Sequence, residues 1–293
     1  MTASRTHRRP SSFRYAQIGL WSFLLVSAIF FLAPIYVMIV TSLKSMPEIR
    51  DGNIFSLPRQ ITFEPWVEAW SRACTGLKCS GVQGGFWNSI KILIPSVVLS
   101  VMFGAVNGYA LTFWRVKGAE ILFACLLVGA FIPYQLFIYP LSLTFAAFGV
   151  SNSLGGVVLI HVIFGLPVTT LIFRNFYSGI PADLMKAAKV DGAGFWRIFI
   201  SILLPMSAPI LVVATILQAT GIWNDYLFSL IFAGQENQPM TVQLSALINA
   251  RTGERPYNVH MAATMLTAAV PLLIYFLSGR WFVRGIAAGA VKG

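Results

Sequence analysis

An all-α membrane protein with six spanning helices is the fold class this sequence predicts, on three observations. Of its 293 residues, 57% are hydrophobic, above the roughly 45–50% of an ordinary soluble domain. Charged residues make up only 11%, against about 25% in soluble domains, and the mean hydropathy is +0.74. The apolar runs recur along the whole chain, so a single signal peptide does not account for them. The net charge of +11 would point to nucleic acid in a soluble protein. In a membrane protein it reads as orientation charge on cytoplasmic loops. Three cysteines, Cys125 inside an apolar run, compose neither a zinc site nor a disulfide scaffold.

The spans follow from the uncharged runs, since about 20 helical residues cross the hydrocarbon. A basic tail, 1–15, precedes a run between Arg14 and Lys44 whose apolar centre is Ile18–Val40. Residues 44–85, punctuated by Pro47, Pro58, Pro65, Gly76, Gly81, Gly84 and Gly85, read as an exported loop with short interfacial helices. The second span lies between Lys91 and Arg115. Between Glu120 and Arg174 stand 53 uncharged residues, too many for one crossing. That run breaks at Phe148-Gly149-Val150-Ser151-Asn152-Ser153, giving spans near 121–145 and 153–173. A fifth span starts at Ile198 and continues past Asn224 to Phe232, interrupted by Asp225. The sixth is Met261–Gly279. The membrane domain is thus 16–282, with a C-terminal tail at 283–293.

An even number of spans puts both termini on one side, and the distribution of basic residues says which. The tails and the 114–120 and 174–197 loops carry thirteen Lys and Arg with three acids. The opposite side carries eight basic residues with six acids. Both termini are therefore expected in the cytoplasm.

Several kinds of chemistry are missing from the sequence. No Gly-x-x-x-x-Gly-Lys-Ser/Thr loop is present, so no nucleotide site is expected in this chain. His7, His161 and His260 stand far apart, and His-Glu-x-x-His does not occur. Neither catalytic nor metal-ligating residues are expected. Asp225 is the one carboxylate within a span, which argues against a proton-coupled carrier.

The polar residues within the spans have two readings each. Trp223-Asn224-Asp225 is either an interhelical clasp or a pathway-lining patch, where amide and carboxylate bind the hydroxyls of a polar solute and indole stacks on its apolar face. Tyr134-Gln135 after Pro133, with Tyr139-Pro140, mark a broken helix, and freed carbonyls are tolerated only against protein or a wet cavity. Tyr134 and Gln135 therefore join the pathway candidates. His161 reads as a satisfied buried polar residue, with a ligand contact as the other reading, and Gly104-x-x-x-Gly108 as helix packing. Cys74 and Cys79 lie in the exported loop, where an oxidising compartment permits a small bridge; two free thiols are the other reading.

The loop 174–203 is the most informative stretch. Pro181 can open a helix, Asp183 suits its positive end and Gly192 can close it. The product is a short amphipathic helix with Leu184, Ala187 and Ala188 on one face, small enough at the alanines for another protein to approach closely. An ordinary loop helix covering its own bundle is the competing reading.

Ala187-Ala188-x-x-Asp191-Gly192-Ala193, followed by Ile202-x-Leu204-Pro205, resembles the EAA loop of inner-membrane permeases of bacterial ABC importers. Gly285-Ile-Ala-Ala-Gly289-Ala290-Val291-Lys292-Gly293 and Trp223-Asn224-Asp225 are similar to the MalG-type sugar-uptake branch. Within it, Ala73–Cys79 and Phe86-Trp87-Asn88-Ser89 look most like permeases for glucose or mannose. The resemblance implies an ABC type I importer permease fold in the bacterial inner membrane. It also implies a second permease subunit, two ATPase subunits that hold ATP and Mg, and a periplasmic sugar-binding protein. On that view Asp183, Lys186, Ala187, Ala188, Asp191 and Gly192 form the ATPase coupling surface, and Lys292 and Gly293 reach between the ATPase subunits along an extended path. One departure stands out: the family's glutamate position is Lys186 here, and Asp183, one turn earlier, is the candidate substitute. A self-contained secondary carrier or channel for a small polar solute is the alternative function.

Overall fold

The computed structural model describes residues 11–76, 78–114, 117–250 and 255–290, with side chains described from 17 to 279. Apart from a two-residue antiparallel ribbon, β1 (Cys74–Thr75) with β2 (Lys78–Cys79), the regular structure among these residues is helical. Four helices are long and apolar enough to cross a membrane: Gln17–Ser42, Gln83–Phe113, Leu154–Ser178 and Tyr257–Gly279. Two bent pairs pass the same test, Ala119–Phe131 with Tyr134–Ala147 at 98° and Phe195–Met206 with Ala208–Trp223 at 80°. With each pair counted once, the six expected spans are present.

The chain divides into two compact units, Met1–Ala69 with Thr252–Met265, and Trp70–Arg251 with Leu266–Gly293. The first holds α1 (Ser11–Ser42), α2 (Met46–Asp51) and most of α3 (Glu64–Ser71). Its centre is Lys44, whose buried Nζ donates to Asn53 O at 3.1 Å and Ser56 Oγ at 3.0 Å. Asn258 Nδ2 donates to Lys44 O at 3.0 Å, so one lysine ties the loop after α1 to two other segments. A buried ammonium is tolerated only when its donors are satisfied in this way.

In the second unit, α4 (Gln83–Phe113) packs along α7 (Leu154–Ser178). Without a hydrophobic drive between helices in lipid, close packing and hydrogen bonds hold such a pair. A Cβ at Gly108 would stand 2.8 Å from Phe173 Cβ and from Arg174 N, so only glycine permits this approach. Thr169 Oγ1 donates to Ser100 O at 2.9 Å across the same seam. Between these helices run α5 (Ala119–Phe131), a 3₁₀ turn at Tyr134–Phe137 and α6 (Ile138–Ala147). The break predicted at 148–153 is a turn with Gly149 and Asn152 at φ 67° and 56°, after which Ser153 Oγ caps α7 by accepting from Gly156 N at 3.0 Å.

After α7 come α8 (Ala182–Val190), α9 (Phe195–Ile198), a π turn at Phe199–Leu203, α10 (Leu204–Met206), α11 (Ala208–Trp223) and α12 (Leu227–Phe232). The chain then runs through α13 (Met240–Asn249) and α14 (Tyr257–Ala290). Two expectations on helix limits need correction. The fifth span is not one helix continuing to Phe232: it bends between Met206 and Ala208 and stops at Trp223. Pro205 and Pro209 lack the N–H donors that a straight ladder needs. The segment from 283 is not extended either, because α14 continues through Gly289 to Ala290. Its alanines favour helix strongly enough to carry Gly285 and Gly289.

Candidate functional site

Two places on the second unit collect the residues that the sequence singles out. The first is α8. Pro181 stands at its N-cap and Asp183 in its first turn, where a carboxylate meets the positive end of the helix. At its other end Gly192 takes φ +76°, Gly192 N donates to Lys189 O at 3.1 Å, and Ala193 N to Ala188 O at 2.9 Å. Those two bonds are a Schellman closure, which satisfies carbonyls that the helix end would otherwise orphan. No Cβ clash restricts Gly192, so its requirement is the left-handed backbone alone.

Met185 and Ala188 are buried beneath the helix, and Leu184, Lys186, Ala187 and Val190 are exposed. The face expected to carry Leu184, Ala187 and Ala188 together is thus divided: Ala188 seats the helix and the other two face outward. Lys189 Nζ lies 4.6 Å from the centre of the Trp114 ring at the end of α4. Tyr109, Phe195 and Phe199 stack beneath, with ring centroids 4.6 Å and 5.7 Å from Tyr109. Arg174 pairs with Glu120 at 2.9 Å, joining the end of α7 to the start of α5. α8 is therefore seated by its buried Met185 and Ala188 and tied to the end of α4 through Lys189 over Trp114. Lys186 Nζ donates to Asp183 Oδ1 at 2.9 Å, so the two charges at the departure position are paired within α8 itself. Both are exposed, and such pairs contribute little stability.

The second place is a pocket of about 420 Å³ lined by Tyr134, His161, Asn224, Asp225, Tyr226 and Phe228 with Gly221 and Leu227. Four elements meet there: the 3₁₀ turn after Pro133, α7, the end of α11 and the start of α12. Asp225 Oδ1 accepts from Phe228 N at 3.2 Å, and Oδ2 accepts from Ser229 N at 2.9 Å and Ser229 Oγ at 2.8 Å. The carboxylate caps α12 from within a span, an arrangement worth about 1 kcal/mol elsewhere. His161 Nε2 lies 3.6 Å from Asp225 Oδ2 and makes no hydrogen bond, although His161 is 7% exposed. A buried polar atom left so costs about 1–3 kcal/mol.

Of the pathway candidates, Tyr134, Asn224 and Asp225 meet here, and Gln135 and Trp223 do not. Gln135 is exposed away from the pocket wall. Trp223 is 2% exposed, its Nε1 donates to Thr267 O at 3.0 Å, and its ring meets Phe86 edge-on at 6.0 Å. Its indole is an interhelical clasp and offers no face to a sugar in this structure. Tyr226 is the polar pocket residue that sequence reasoning did not single out, and Gly221, Leu227 and Phe228 complete the lining. The expectation that His161 is a satisfied buried residue needs correction, because its Nε2 has no hydrogen-bond partner, and only a contact across 64 positions reveals the carboxylate beside it.

Cys74 and Cys79 are joined by a disulfide across the β1–β2 ribbon. Lys78 Nζ donates to Glu236 at 2.7 Å, holding the ribbon to the segment before α13, and Asn88 Nδ2 of α4 donates to Glu236 O at 3.0 Å. Cys125 is free and exposed. Lys292 and Gly293, the expected tail contacts, lie outside the described residues, as does the basic stretch 1–10.

Residues 96–289 match the family model described as binding-protein-dependent transport system inner membrane component. The chain is 33% identical over 264 residues to the alpha-glucoside transport system permease protein AglG of Rhizobium meliloti (strain 1021), covering 87% of this chain and 67% of that protein. It is also 33% identical to the melibiose/raffinose/stachyose import permease protein MelC of Bacillus subtilis (strain 168), over 89% of this chain and 91% of that one. A solved chain from a bacterial ABC transporter involved in the import of the acidic polysaccharide alginate superposes with a TM-score of 0.78 at 21% identity, covering 94% of this chain and 99% of that chain.

Proposed function

The chain belongs to the family of binding-protein-dependent transport system inner membrane components, and from that membership we propose a sugar-importing permease subunit that forms half of a translocation pathway. The relatives named for alpha-glucoside transport and for melibiose/raffinose/stachyose import support the sugar, and the pocket of hydroxyl-binding and aromatic side chains suits it. The chain itself is non-catalytic, and ATP and Mg are held by separate ATPase subunits. A second permease completes the pathway, and a periplasmic sugar-binding protein delivers the substrate to the exported side. Both termini are cytoplasmic, with 44–85 and 233–258 facing the binding protein.

α8 is the observation that carries this reading. Its exposed Leu184, Ala187 and Val190 recur at i, i+3 and i+6 on a helix fixed to the bundle from below. An apolar helix stripe of this kind fits a groove on a partner. The ATPase closes on that stripe, and the Lys189–Trp114 contact and the short connection from α7 pass the motion to α4 and α7. Asp183 and Lys186, which neutralise each other in the isolated chain, exchange partners at the rim of that contact, so the surface needs no glutamate at position 186.

Reconstitution tests the function. Proteoliposomes holding the complete complex should accumulate labelled glucose or maltose when ATP and the binding protein are supplied, and those holding this chain alone should not. ATP-independent accumulation by this chain alone would establish a self-contained carrier instead.

A further inference from the structure

The pocket at the Asp225 turn has a charge pattern that bears on which sugars can use it. Asp225 is the one carboxylate among its lining residues, and neither lysine nor arginine lines it. Both Asp225 oxygens are held by α12, yet Oδ1 accepts only from Phe228 N at 3.2 Å, leaving one of its two lone pairs open. A second, independent sign is His161, 7% exposed, with an imidazole nitrogen that has no hydrogen-bond partner on the same wall. Such an atom is ordinarily satisfied by protein, water or ligand. Tyr134 and Tyr226 supply ring faces, the first half-buried against Phe228 at 4.7 Å and the second exposed, and Asn224 supplies an exposed amide.

Resting on the sugar reading above, we propose that this pocket is a sugar subsite of the chain itself and that it admits uncharged sugars and rejects acidic ones. A hydroxyl of the ring donates to Asp225 Oδ1, a charge-assisted bond stronger than one between neutral groups. The Asn224 amide bonds a neighbouring hydroxyl, and the tyrosines cover the apolar ring face. A uronic acid would bring a second carboxylate beside Asp225 with neither lysine nor arginine on the wall to offset it and with the one imidazole, His161, already facing Asp225 at 3.6 Å, and like charges so placed reject a ligand. Trp223 plays no part, since its indole is already committed to Thr267.

Protection of a thiol tests this in the assembled complex. Gly221→Cys places a reactive group on the exposed wall of the pocket, where an added Cβ meets nothing within 4 Å, and its alkylation by a maleimide is followed on the peptide by mass spectrometry. Glucose or maltose at about ten times the half-saturating concentration should slow alkylation about tenfold by occupancy, and glucuronate should not slow it. Asp225→Asn keeps a good capping side chain but removes the charge, and in that background glucuronate should protect as well as glucose does. If wild-type complex accumulates glucose or maltose but neither slows alkylation, the subsite is overturned and the sugar function stands. Protection by glucuronate equal to that by glucose overturns the charge selectivity. A wild-type complex that moves none of these sugars overturns the sugar reading and the subsite with it. Should Asp225→Asn fail to assemble, the three sugars on the chain that retains Asp225 decide the matter alone.

Discussion

At the scale of single residues, neighbours decide between roles that the sequence leaves open. Trp223, Asn224 and Asp225 are consecutive, yet they do three different things. The helix turns about 100° per residue, so Trp223 falls inside the bundle, Asn224 outside it and Asp225 at the turn where α12 begins. Trp223→Ala should therefore act on assembly: a buried tryptophan truncated to alanine costs about 3–5 kcal/mol. A thermal-melting measurement on the purified chain in detergent should show a large drop in midpoint and poor recovery of the complex. A Trp223→Ala complex of normal stability with slowed sugar uptake would return the indole to the pathway. The sequence could present the alternatives for this residue but could not choose, because Thr267 and Phe86 are 44 and 137 positions away. The same distance problem concealed His161, whose partner Asp225 belongs to another helix.

At the scale of elements, local rules located boundaries well where a short-range signal exists. Ser153 caps α7 where a break was expected, and Gly192 closes α8 in a left-handed conformation. Pro133 precedes a sharp bend of the third span, also as its residues imply. Where a signal is weak or competes with another, the reading fell short. The fifth span stops at Trp223 because the Asp225 cap restarts the helix at Leu227, a result that hydropathy does not register. α14 runs to Ala290 because its alanines outweigh glycines that suggested an extended tail. The pairing of α4 with α7 rests on glycine, and its test follows directly. Gly108→Leu must displace Phe173 and the backbone at Arg174, and such overpacking costs typically 1–3 kcal/mol. Its melting midpoint should fall in proportion, whereas Gly129→Leu, where a Cβ meets nothing within 4 Å, should leave it unchanged. Equal effects at the two positions would mean that the close approach is not what holds the pair.

At the scale of the whole molecule, composition and run lengths were enough to reveal a six-span membrane protein, since hydrophobic length is a property of sequence alone. The helix α8 was also legible, because a proline, an acid, small residues and a glycine fall in order over one short segment. What the sequence could not express is which of those residues seat α8 and which face outward. Met185 and Ala188 seat it against the bundle, leaving Leu184, Ala187 and Val190 for a partner. The central claim is that α8 moves as a rigid part because its base is packed and its end is closed by Gly192. Gly192→Val tests that claim most directly, since a β-branched residue is strongly disfavoured at φ +76° while nothing in space obstructs its side chain. The measurement is the number of sugar molecules moved per ATP hydrolysed by the complete complex in proteoliposomes. The variant should insert and assemble but transport several-fold fewer sugars per ATP than wild type, as expected when the closure of α8 is lost. An unchanged ratio, from a complex that contains its full complement of subunits, would contradict the account and leave α8 as an ordinary loop helix covering its own bundle.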